Sequence, residues 1–83
     1  MSALAAMSLS QTAIAEVDDA DVDNPAGTTI SGTGYGVKLD AGGPYTVANS
    51  GEINSTAGTL SYGIDINSVT VTSINNTSTG VIK

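Results

Sequence analysis

The sequence predicts an all-β chain folded as a parallel β-helix of about two coils, behind a disordered or weakly helical N-terminal leader. Three observations carry that reading. The stretch from Tyr35 to Ile53 returns from Tyr62 to Ile82: Tyr35-Gly36-Val37-Lys38-Leu39 comes back as Tyr62-Gly63-Ile64-Asp65-Ile66 and Val47-Ala48-Asn49 as Ile74-Asn75-Asn76, each position displaced by 27. After residue 15 no eleven-residue window keeps the three-and-four apolar spacing of a helix. Ten glycines, with many Ser, Thr and Asn, separate short runs of Val, Ile and Tyr, which is the composition of strands joined by frequent turns.

Residues 1–15, MSALAAMSLSQTAIA, are small and apolar and close on Ala13-Ile14-Ala15, a small-x-small pattern suited to signal peptidase, immediately before an acidic run. The segment is expected to be the end of a secretory signal whose basic start lies further upstream; a weak amphipathic helix is the competing reading. It is too short to span a bilayer. Residues 16–26, EVDDADVDNPA, hold five of the eight acids, Glu16, Asp18, Asp19, Asp21 and Asp23, and have little to bury, so a solvated acidic linker is expected. Asp19, Asp21 and Asp23 have the D-x-D-x-D spacing of a calcium loop. Asn24-Pro25 stand where that loop takes glycine, and Ile30 where it takes its bidentate Glu, so a linker remains the better reading.

Residues 27–83 are the expected β-helix repeats. Val37 and Leu39, Tyr45 and Val47, Ile64 and Ile66, and Val69 and Val71 before Ile74 alternate with period two. Gly32-Thr33-Gly34, Ala41-Gly42-Gly43-Pro44, Asn49-Ser50-Gly51 and Asn75-Asn76-Thr77-Ser78 mark the turns between them. At about 3.3 Å per residue, a 27-residue coil closes a loop of three short faces, and equivalent residues stack about 4.8 Å apart on successive coils. Tyr35 is then expected under Tyr62, Leu39 under Ile66 and Val47 under Ile74. Asn49 under Asn76 would start an asparagine ladder, and Lys38 would lie under Asp65 on the outer face. Gly51-Glu52-Ile53 returns as Gly80-Val81-Ile82, displaced by 29, so Ser78-Thr79 reads as a loop insertion. A meander of two antiparallel hairpins is the competing architecture, but it has no need for the same residue type at the same phase.

Most chemistry is disfavoured by composition. Without cysteine there is neither a disulfide framework nor a thiolate, and without histidine the commonest general base is missing. Lys38 and Lys83 are the only basic residues in a chain of net charge −6, so no nucleic acid partner is expected. Gly32-x-Gly34-x-Gly36 resembles a phosphate-cradling loop but opens no helix. Asp40 and Asp65 are the acids nearest an ordered face, and two coils build no groove that would make them a catalytic pair. Asn54-Ser55-Thr56 and Asn75-Asn76-Thr77 match the glycosylation sequon, as expected by chance in so Asn- and Thr-rich a chain. No catalytic, cofactor-binding or metal-ligating residue is assigned, and no cofactor is expected.

Val47-Ala48-Asn49-Ser50-Gly51-Glu52-Ile53, then Tyr62-Gly63-Ile64 and Ile74-Asn75-Asn76, resemble the passenger repeats of bacterial autotransporters, whose "I-x-N-x-G-x-I … G-I" units form a long right-handed β-helix. The likeness runs from Gly27 to Lys83. It implies export, translocation by a C-terminal β-barrel, and display at the outer membrane as a non-catalytic adhesion or aggregation scaffold. Two coils alone are marginal, because solenoids generally need three or more stacked units. The expected partners are therefore downstream coils of a longer chain, or identical subunits stacking end to end into a fibre, at an open C-terminal end. A host-cell or bacterial surface is the further partner that the resemblance implies.

Overall fold

The computed structural model describes residues 12–56 and 61–83. Ten strands follow one another: β1 (Thr12–Ala15), β2 (Val17–Asp18), β3 (Val22–Asn24), β4 (Thr28–Gly32), β5 (Tyr35–Leu39), β6 (Tyr45–Asn49), β7 (Glu52–Ser55), β8 (Tyr62–Ile66), β9 (Val71–Asn76) and β10 (Val81–Ile82). The fold is all-β, with 60% of residues in strands and no helix among the described residues. Each of β1 to β7 pairs in parallel with the strand three places further on. Three sheets result, in the orders β1-β4-β7-β10, β2-β5-β8 and β3-β6-β9. The antiparallel meander is thereby overturned.

The register follows the repeat. Tyr35 pairs with Tyr62, Val37 with Ile64, Lys38 with Asp65 and Leu39 with Ile66; Val47 pairs with Ile74 and Asn49 with Asn76. Val81 and Ile82 pair with Glu52 and Ile53, and the two inserted residues lie in the turn before β10. One irregularity is informative. Val71 and Ile74 are three residues apart, an odd spacing that would turn them to opposite faces of a regular strand. A shift between Tyr45 and Thr46 pairs Tyr45 with Val71 but Thr46 with Ser73, and this bulge absorbs the extra residue. Val69, expected within that strand, precedes it and packs half-buried against the core.

One expectation for the N-terminal part needs correction. The segment 16–26 is no solvated linker: it supplies β2 and β3, with Val17 paired to Val37, and Val22 and Asn24 paired to Val47 and Asn49. Its acids stay exposed while Val22 and Asn24 are buried; within β3, alternation sends Asp23 to the opposite face from those two. A charge count over the segment averages over those two faces and misses the buried one. Of the signal-like segment 1–15, residues 1–11 lie outside the described residues. Thr12–Ala15 forms no helix; it pairs with Thr28–Ser31 of β4.

Val22, Ile30, Val37, Leu39, Val47 and Ile53 form the buried core, drawn from all three sheets. Burial falls off along each row of paired residues toward the last strands. Leu39 is fully buried while its partner Ile66 is 40% exposed, and Val47 is 1% exposed while its partner Ile74 is 47% exposed.

Candidate functional site

The most organised polar feature is a line of asparagines at the bend between the third sheet and the first. Asn24 closes β3, Asn49 closes β6 and Asn76 closes β9, and in each case the chain then turns back. The Asn24 Nδ2 donates to the Asn49 Oδ1 at 2.7 Å, and the Asn49 Nδ2 donates to the Asn76 Oδ1 at 2.9 Å. Each amide also holds its own turn: Asn24 donates to the Thr28 carbonyl, Asn49 to that of Gly51 and Asn76 to that of Gly80. Each of the first two reaches further, Asn24 to the Glu52 carbonyl and Asn49 to that of Val81. Backbone bonds brace the same bend, with the Ser50 and Thr77 amides donating to the Asn24 and Asn49 carbonyls. Asn24 and Asn49 are 1% and 0% exposed, a burial that an amide tolerates only when its hydrogen bonds are made.

The ladder has a direction and two unlike ends. Every amide nitrogen points toward the C-terminal strands. The Asn24 Oδ1, at the start, is buried without a hydrogen-bond partner among the described residues. Asn76, at the other end, is exposed, and among the described residues its Nδ2 donates only to its own turn, lacking the next-row oxygens that Asn24 and Asn49 reach. Glycine is required beside it: a Cβ on Gly51 would fall on the Thr28 carbonyl oxygen and within 2.6 Å of the Pro25 oxygen.

The expected ladder from Asn49 to Asn76 is present. The Asn24 rung was missed, although Val22-Asp23-Asn24 has the same apolar-x-Asn form as Val47-Ala48-Asn49 and Ile74-Asn75-Asn76. Other residues singled out in the sequence do structural work. Asp19 and Asp21, two of the three acids at calcium-loop spacing, accept backbone amides from the neighbouring pass: the Asp19 Oδ1 from Asp40 at 2.8 Å and Ala41 at 3.1 Å, and the Asp21 Oδ1 from Thr46 at 2.9 Å. Those amides, the Asp40 one first, hold the Asp19 carboxyl below its ordinary pKa. Among the described residues no group of three or more His, Cys, Asp or Glu could hold a metal ion.

Lys38 is in register with Asp65, as expected, but its ammonium makes its ion pair with Asp40 at 3.5 Å and sits 5.1 Å from the centre of the Tyr35 ring. Gly32 ends β4 and Gly36 lies within β5, where a Cβ would come within 2.8 Å of the Asn54 carbonyl and Ile53. Gly32 and Gly36 therefore serve close packing, whereas the Cβ position of Gly34 is open. Of the sequon asparagines, Asn54 donates to Glu52 Oε2, and Asn75 is exposed beside the ladder.

No protein-family model, curated protein or solved structure matches this chain.

Proposed function

We propose that this chain is a non-catalytic structural segment of an exported bacterial surface protein, a parallel β-helix of the autotransporter-passenger kind that serves as an adhesion or aggregation scaffold. The observation that carries the reading is the repeated register: three parallel sheets whose strands recur every third element, with an amide ladder at one bend. Such a stack satisfies backbone groups between successive passes rather than within one, so its rows can be added without limit. The passenger-like repeats and the Ala13-Ile14-Ala15 pattern support export, and the missing histidine and cysteine support a scaffold over an enzyme.

Export is tested by fusing the chain, together with the coding sequence upstream of Met1, to a reporter enzyme that is active only outside the cytoplasm, followed by fractionation and N-terminal sequencing. The reading expects reporter activity and a new terminus at Glu16. A fusion that stays in the cytoplasm with residues 1–15 still attached contradicts it.

A further inference from the structure

The ten strands divide into three full rows and one remainder. β2, β3 and β4 form one row, β5, β6 and β7 the next, and β8, β9 and β10 the third, each row giving one strand to each sheet. The remainder is β1, which covers the outer edge of β4. Rows divided in this way have complementary ends. Among the described residues, β2 and β3 are unpaired on one side and β8, β9 and β10 on the other, and β1 breaks the match.

We propose that in the 83-residue polypeptide, whose stack stops at the β10 row, cleavage after Ala15 removes β1 and leaves beside β4 a slot that β10 of a second copy fills, so that cut copies of this length stack head to tail. Cleavage at that point rests on the export reading above. The register makes the substitution specific. Ala13 and Ile14 pair with Thr29 and Ile30, and Glu52 and Ile53 pair with the same two residues from the other side. Val81 and Ile82 already continue that column beyond Glu52 and Ile53, so Ile82 of one copy takes the place of Ile14 against Ile30 of the next. Ile74 meets Val22 and Ile64 meets Val17, which covers inward residues now at the open end, Ile74 being 47% exposed. The ladder runs on across the joint: the Asn76 amide donates to the Asn24 Oδ1 of the next copy, the buried acceptor that has no partner among the described residues of one chain.

One contact opposes the joint. The outer column reads Asp18, Lys38, Asp65, and stacking sets Asp65 against Asp18 of the next copy in chains of net charge −6. Assembly is therefore promoted by salt, which screens exposed like charges.

The test inserts a site-specific protease sequence after Ala15 of the 83-residue chain, which is folded first and then cut, with sedimentation and electron microscopy as readouts. The uncut chain is expected to stay monomeric, and the cut chain to form rods above a threshold concentration. Asn76→Asp keeps the Oδ1 that accepts from Asn49 but loses the donor. In the cut chain it is expected to keep the β-sheet circular dichroism and raise the threshold by roughly tenfold. Asp65→Lys is expected to allow assembly at low salt. The proposal is overturned by a cut chain that stays monomeric or unfolds, by an uncut chain that assembles equally well, or by an Asn76→Asp chain that assembles like its parent. Failure of export would remove the natural source of the cut and leave the result with cut chains standing, so the two failures are distinguishable.

Discussion

The residue that bears most on this fold is Asn49, because its one side chain serves three successive passes of the chain. It accepts from Asn24 and donates to Asn76 and to two carbonyls, at 0% exposure. Asn49→Ala is expected to cost about 1–3 kcal/mol by leaving buried donors and acceptors unpaired, whereas Asn76→Ala, at an exposed position, costs less than about 1 kcal/mol. Urea unfolding of the two variants reads the difference. Glycine at the same bend is just as restrictive: Gly51→Ala is expected to cost roughly 1–3 kcal/mol through overpacking on backbone oxygens. Gly34 has nothing near its Cβ position, and Gly34→Ala is expected to stay within about 0.5 kcal/mol of the parent.

Asp19 adds a pH dependence. Its carboxyl pKa is lowered in the fold by the Asp40 and Ala41 amides, so its stabilising effect is present above the ordinary carboxylate range and is lost as pH falls through the lowered value. Hydrogen exchange is expected to show the Asp40 and Ala41 amides protected at neutral pH and released in acid, with Asp19→Asn flattening that dependence.

At the scale of the strands, position in the stack decides the energetic weight of chemically similar residues. Leu39→Ala is expected to cost about 2–5 kcal/mol. The same truncation of its neighbour Ile66, 40% exposed, costs about 1 kcal/mol or less. Equilibrium unfolding separates the two. The pairing of β5 with β8 and of β6 with β9 was legible in the sequence because both copies keep one period of 27 and the same alternation.

The first pass was illegible for two physical reasons. Its offsets to the next pass are irregular, as in Thr12 with Thr28, Val17 with Val37 and Val22 with Val47, because its bends differ in length. Two of its acids, Asp18 and Asp23, lie on the outward face of strands too short to display a clear alternation, and the other three lie between strands. The direction of the asparagine ladder, and hence its unpaired start at Asn24, is a property of side-chain orientation that residue spacing does not encode.

For the whole molecule, the central claim is that the chain is held together between passes, by parallel pairing of each residue with its counterpart in the next pass. Ile66 and Ile74 are exposed on that account, since they face the side where no further row lies among the described residues. Extra rows at that end are expected to raise the unfolding midpoint, which thermal denaturation of lengthened chains reads directly. The most direct measurement is the nuclear Overhauser pattern of the backbone in solution. The fold requires contacts linking β6 to both β3 and β9, with Val47 close to Val22 and to Ile74. Strong Hα–Hα contacts between consecutive strands such as β5 and β6, the mark of antiparallel hairpins, would contradict it.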